Sequence, residues 1–437
     1  MDTTSPEIDM TTLRIPPEVK ALMSAFRLSH PDHSLLEKLT EAEWASLLAF
    51  SDLAQLTLPL AQLPIKGMPH WVGERLRTSL ADNALRFERV KATYREVNDA
   101  LESAGVEHVV IKGFTQSPDY VADPRIRPQS DIDMYCPRES IDAAYSACEA
   151  IGYRSSDVKI SYARADHRAS LVRPGHWKWG GKLYDPEMPL SIELHFCLWN
   201  EHVSRIAVPG PSFFWDRRTR REVDGLSFSC LSPVDHLAYF ALHILRNVLA
   251  RDWIIHHVRE LAVFLHNRAD DESFWNTWEE THSPSLRSLA AIAFYYARAW
   301  FGCQLNPLAQ RDIDRLPDAC RSWLRHFSGS ALKSMFYPNK DSVWLHLALL
   351  PTRGDKWAIF KWTFLPAGMG PIGYVPIQVR NRRLVPPRDR HPWLQYAAYL
   401  STRSIAFGRI SLATLGRGLR WRLLQDVQAP RFWPDEI

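Results

Sequence analysis

The spacing of apolar residues divides the chain into a helical start, a strand-rich middle and a helical remainder. Helices are predicted over Leu35 to Leu60 and over Val72 to Ala104. In the second, Phe87, Val90, Tyr94, Val97, Leu101 and Ala104 recur at intervals of three and four and so share one face, with Gly105 as a natural stop. The pattern then shortens. Val106 to Ile111 is a compact apolar run that reads as a buried strand, and it leads into Lys112-Gly113, where glycine permits a sharp turn and close approach of a ligand. Alternation around Ser130 to Cys136 predicts a further strand. Ile132 and Met134 face the core, while Asp131 and Asp133 project together from the other side, about 6.7 Å apart along the strand.

After Cys136 a helix is predicted with Ile141, Ala144, Tyr145, Cys148 and Ile151 on one face and Gly152 as its stop. Strands are predicted over Val158 to Val172 and Lys182 to Leu198; within the latter, Ile192, Leu194, Phe196 and Leu198 face the core and Glu193 and His195 the opposite side. Asp224-Gly225 between two short alternating runs is a hairpin signal. Ser232-Pro233-Val234-Asp235 then starts a helix firmly, and helical spacing continues over Asp235 to Leu265, Leu286 to Phe301 and Val343 to Leu350. His236 and His243, seven apart, share a helix face, but no further ligand stands at the next turn, so packing is preferred to zinc. The organisation expected is a helical region over 1–104, a core over 105–230 and a helical region with an arginine-rich tail over 231–437.

The chemistry concentrates in the middle. Two adjacent carboxylates repel unless a cation lies between them, and hard oxygen ligands at this spacing suit Mg²⁺. A strand, a glycine and a helix start would together make a phosphate site at Gly113. Pro124 and Pro128 stiffen the intervening loop and would hold Arg125 and Arg127 near the carboxylates, where two guanidinium groups could meet an anionic substrate. Glu193 offers a third carboxylate from another strand, and His195 on the same face would orient a carboxylate or a phosphate.

Ile111-Lys112-Gly113, then Arg125-x-Arg127-Pro128-x-Ser130-Asp131-Ile132-Asp133, then Glu193-Leu194-His195 resembles an uncharacterised bacterial nucleotidyltransferase family of the DNA polymerase beta superfamily. The resemblance implies an α+β fold in which a small mixed sheet is flanked by N-terminal and C-terminal helical regions. It implies that Gly113 helps to hold a nucleoside triphosphate and that Asp131, Asp133 and Glu193 are catalytic and bind two Mg²⁺ ions, with Mn²⁺ as the alternative. Lys112, Gly113, Arg125, Arg127, Ser130 and His195 fall to the nucleotide. Where better-studied members have Gly-Ser at the turn, this chain has Gly113-Phe114. The expected reaction is metal-dependent transfer of a nucleoside monophosphate from a triphosphate to an acceptor, with a non-catalytic nucleotide-binding or regulatory module as the competing reading. A small molecule or peptide is the acceptor class the resemblance suggests; nucleic acid is not favoured.

Composition adds little until the last segment. An apolar share of 46% with 23% charged is ordinary for a globular chain, and a net charge of +4 demands no polyanionic partner. The 6 cysteines form no close pairs, and the first residues include early acids and no apolar run, so a reduced cytoplasmic protein without a secretory signal is expected. The apolar stretch from Leu289 stops at Arg298, short of the roughly 20 residues that cross a bilayer. From Arg380 to Arg431, arginines are frequent, lysine is absent, and Asp389 and Asp426 are the only acids. Tyr399 to Leu424 reads as a basic amphipathic helix. Packing of its face on its own domain is preferred, with an acidic partner, a membrane surface or RNA as alternatives.

Overall fold

The computed structural model describes residues 14–155, 166–365 and 392–428. The described residues form two compact units, one drawn from 16–245 with 255–315, the other from 14–15, 246–254 and 316–428. The larger unit holds α1 (Pro17–Ala25), α2 (Glu41–Leu53), α3 (Thr57–Leu60) and the long α4 (His70–Ser103) ahead of its sheet. Position 57 starts a separate short helix, so the apolar stretch expected to be one helix is two. The stripe on α4 is core: Phe87, Val90, Tyr94, Val97 and Leu101 pack against Ile132, Met134, Ile192 and Leu194 of the sheet. Gly105, at φ +67°, ends that helix as the sequence requires.

Among the described residues the sheet has seven strands in the order β3-β4-β5-β2-β1-β7-β6 and is mixed. The strands are β1 (Val109–Val110), β2 (Asp131–Tyr135), β3 (Arg154–Ser155), β4 (Leu171–Val172), β5 (Ser191–His195), β6 (Thr219–Val223) and β7 (Leu226–Cys230). β2 runs antiparallel to β1 and parallel to β5. In the β6–β7 hairpin Val223 pairs with Leu226, and Asp224 and Gly225 both take positive φ, as a two-residue turn of primed type demands. The sheet and its flanking helices make an α+β core, as expected. The expected strand from Lys182 is shorter: 182–190 runs as turns, and regular pairing begins at Ser191. Of the expected strand over 158–172, Leu171 and Val172 pair, while 158–165 lies outside the described residues.

Beyond the sheet the larger unit continues through α5 (Ile141–Ala150), α6 (Glu201–Ser204), α7 (Pro233–Ala250), whose last turn counts with the smaller unit, α8 (Ile255–Asn267), α9 (Glu272–Thr281), α10 (Pro284–Phe301) and α11 (Pro307–Asp314). The helix expected over 235–265 is therefore two, broken where Arg251 adopts φ +66°. His236 and His243 lie buried on α7, and burial pushes the His236 imidazole down to about 4. The smaller unit contains α12 (Asp318–Phe327), α13 (Ser330–Ser334), α14 (Ser342–Leu349), α15 (Arg353–Phe364) and α16 (Pro392–Gln428). Of the arginine-rich segment over 380–431, residues 380–391 and 429–431 fall outside the described residues.

Candidate active site

The parallel pairing of β2 with β5 sets Asp133 directly opposite Glu193 and Tyr135 opposite His195. Paired residues in parallel strands present their side chains to the same side, so the face opposite the core carries Asp131, Asp133, Glu193 and His195. Asp133, Glu193 and His195 each bring one ligand atom to within 4.8 Å of the others'. His195 Nε2 lies 2.8 Å from Asp133 Oδ1 and 3.9 Å from Glu193 Oε2. The Ser170 hydroxyl donates to Glu193 Oε1 at 3.0 Å, which orients the third carboxylate.

Lys112 reaches this group because the Ile111 amide donates to the Asp133 carbonyl at 3.1 Å and continues the β1–β2 pairing to the next residue. Its ammonium then lies 2.5 Å from Asp133 Oδ1. The two aspartates titrate in opposite directions. Burial and the charge of Asp133 push the Asp131 carboxyl up to about 7. Burial would raise Asp133 as well, but the Lys112 ammonium and the His195 hydrogen bond hold it well below the usual carboxylate range.

Gly113 turns at φ +75°, and a Cβ there would collide with the side-chain amide of Gln129. That amide is buried and donates to the Asp131 carbonyl at 2.7 Å, so the glycine turn and the start of β2 are held together. The helix start expected after Gly113 is a single 3-10 turn over Gly113–Gln116. Phe114, at the position where a serine would face phosphate, is instead drawn into the core, with ring centroids 5.2 Å from Tyr94 and 4.9 Å from Phe228.

The loop arginines are bound to acids of the protein. Arg125 Nη2 donates to Asp224 Oδ1 at 2.6 Å, and Arg127 Nε donates to Glu260 Oε1 at 2.9 Å. The charge of Arg127 still opposes ionic repulsion at Asp131, whereas Arg125 is directed at the hairpin turn. Ser130 is exposed beside a cavity of about 60 Å³ whose lining includes Asn83, Arg86, Gln129 and Tyr184. That volume admits water rather than a nucleoside.

The sequence pattern passed over Arg86. It is almost fully buried on α4, donating from Nε to the Gln129 carbonyl at 2.8 Å and from Nη1 to the carbonyls of Asp185 at 3.1 Å and Met188 at 2.8 Å. One side chain thus ties the segments that lead into β2 and β5. Its signal was Asn83 and Arg86 continuing the apolar face of α4 as polar residues. Ser170 and Glu260 carried no comparable sign.

Two carboxylates and an imidazole converging on one point form a donor set suited to a divalent cation, and the Lys112 ammonium beside Asp133 already meets part of that cation's role as counter-charge. A family model described as an uncharacterised nucleotidyltransferase matches residues 40–302, well over half of the chain and all of the sheet. No curated protein and no solved structure matches the chain.

Proposed function

From the premise that the chain belongs to the uncharacterised nucleotidyltransferase family, we propose that it transfers a nucleoside monophosphate from a nucleoside triphosphate to an acceptor, with catalysis centred on Asp131, Asp133 and Glu193. General nucleotidyl transfer follows from the family. The observation that supports this particular site is the in-register pairing of Asp133 with Glu193, which sets two carboxylates and His195 beside the Gly113 turn.

In the proposed reaction an acceptor hydroxyl gives up its proton to solvent as its oxygen bonds to the α-phosphorus, the bond from that phosphorus to the bridging oxygen breaks, and pyrophosphate leaves. Asp131, Asp133 and Glu193 would hold Mg²⁺ or Mn²⁺, which when bound supplies charge neutralisation and acidifies the attacking group. Lys112, freed from Asp133, pairs with phosphate, where its point charge suits an anion without fixed orientation. Gly113 lets the backbone approach the triphosphate closely. His195 fixes the orientation of Asp133 through Nε2. A small molecule or peptide is the proposed acceptor class.

The test is calorimetry of the whole chain with each of the four ribonucleoside triphosphates, with and without Mg²⁺. At least one should bind with heat that depends on the cation, and Glu193→Gln should remove that dependence. No heat with any of them would sink the reading.

A further inference from the structure

In the smaller unit the last helix, α16, is built inside out. Among the described residues its buried side is Ser411, Thr414, Gly418 and Trp421, with the Phe407 ring 3.3 Å from the Lys340 ammonium. Thr414 accepts from the Lys340 amide at 3.2 Å, Ser411 accepts from the Lys340 ammonium at 3.0 Å, and Trp421 Nε1 donates to Ser322 at 3.0 Å. Gly418 lies so close to the Trp344 ring that a Cβ would collide with it. Arg417 on this helix forks onto Asp341, with its Nη2 at 2.8 Å. These contacts dock the helix without Ile405, Leu412, Leu419 or Leu423.

Four aliphatic residues point the other way, while Ile410 and Leu415 are half-buried. Ile405 is 64% exposed, Leu412 70%, Leu419 62% and Leu423 57%. At 3.6 residues per turn these four, with Gly416, fall within about 60° of arc and make one continuous stripe. Arg409 and Arg420, both exposed, flank it on one side and Arg422 on the other. Within α16 five arginines, Arg403, Arg409, Arg417, Arg420 and Arg422, stand against the single acid Asp426. The adjoining α15 exposes Trp357 and Trp362.

A solvated basic face explains arginines but not a run of outward leucines, and contiguous exposed apolar surface marks a contact. We propose that the outward face of α16 lies on the surface of an anionic phospholipid membrane. The charge complement selects this occupant: a second copy would bring the same arginines into opposition, whereas anionic headgroups match the arginine flanks and the acyl boundary takes the leucine stripe. Among the described residues no helix is long and apolar enough to cross a membrane, so contact is in the plane of the interface.

The full chain is mixed with vesicles of equal parts phosphatidylglycerol and phosphatidylcholine, or of phosphatidylcholine alone, and floated on a density gradient. The chain should float with the anionic vesicles only. Leu412→Glu with Leu419→Glu should weaken binding by more than about tenfold, as loss of two buried leucines implies, and Arg409→Glu with Arg420→Glu should do the same. Circular dichroism melting should match the parent for both pairs, since all four residues are exposed. Three results would overturn the proposal. They are failure to float with anionic vesicles, flotation that survives loss of both leucines, and a parent whose solution mass falls by half in the leucine variant, which would make the stripe an interface between copies.

Discussion

The Lys112 ammonium lies 2.5 Å from Asp133 Oδ1, the same oxygen that receives His195 Nε2 at 2.8 Å. Two donors on one buried carboxylate oxygen make Asp133 the anchor of the site and Lys112 its counter-charge. Breaking a buried pair by removing one partner costs about 3 kcal/mol, because the other charge is left without compensation. Lys112→Met is therefore expected to destabilise the chain in EDTA by about that amount, and added Mn²⁺ or Mg²⁺ should restore more stability in the variant than in the parent. Thermal denaturation with and without the cations checks this. Equal shifts in both proteins would show that Lys112 and metal do not share a position.

Asp131 and Asp133 should respond to amidation with opposite signs. The folded chain holds the Asp131 carboxyl near 7, above its unfolded value. Between about pH 4 and pH 7 the native state therefore binds a proton that the unfolded state does not, and this group subtracts stability as the pH rises through that window. Asp133 is depressed when folded, so its contribution is present above the unfolded value and is lost as the pH falls towards the folded one. In EDTA at pH 8, Asp131→Asn should raise the melting temperature by a few degrees, roughly the effect of 1 kcal/mol. Asp133→Asn should lower it, and the gain of the first variant should vanish near pH 4. Melting curves of both variants from pH 4 to 8 decide the matter, and shifts of the same sign would break the assignment of opposed environments.

Gly113→Ala is expected to lose more than the conformational cost of its positive φ. That cost alone is about 1 kcal/mol. The added methyl also displaces the Gln129 amide from the Asp131 carbonyl, which would leave that carbonyl unsatisfied at a further ~1–3 kcal/mol. Gln129→Ala in the same background makes room for the methyl. The double variant should therefore cost less than the sum of the two single ones, and additive losses would show that the collision is relieved elsewhere.

What could be read from the sequence was what local periodicity controls. The alternation around Ile132 and Ile192 placed the carboxylates and His195 on one face, and Asp224-Gly225 marked its hairpin, because both signals span only a few residues. The turn after Gly113 departs from the helix start that the sequence predicts, because Phe114 packs into the core between Tyr94 and Phe228 and the chain takes a 3-10 turn there. The sequence predicts that the loop arginines face an anionic ligand and gives no sign of the acids they pair with, Asp224 and Glu260, which lie 99 and 133 residues further along the chain. No spacing rule reaches that far. The outward leucines of α16 were hidden for a related reason: helical spacing shows that a face exists, but not which face the rest of the unit covers.

Arg86 supplies the strongest test of how the site is held in shape. Its Nε and Nη1 bond the carbonyls of Gln129, Asp185 and Met188, residues just ahead of the two strands that bring Asp133 opposite Glu193. Burial pushes the guanidinium down to about 10, still charged at neutral pH, so it remains a donor throughout the working range. Arg86→Lys keeps a cation but loses the planar fork, and one ammonium cannot reproduce three bonds aimed from two nitrogens. Arg86→Met keeps bulk and loses every donor, leaving up to three carbonyls unsatisfied at ~1–3 kcal/mol each. The expected order of stability is parent, then lysine, then methionine. If Arg86 also sets the register of the carboxylates, Arg86→Lys should weaken Mn²⁺ binding by about tenfold at a temperature where circular dichroism shows it fully folded, in the range seen when groups that orient metal ligands are removed. Calorimetric titration with Mn²⁺ is the measurement, and a lysine variant that is less stable yet binds Mn²⁺ as tightly as the parent would confine Arg86 to holding the fold.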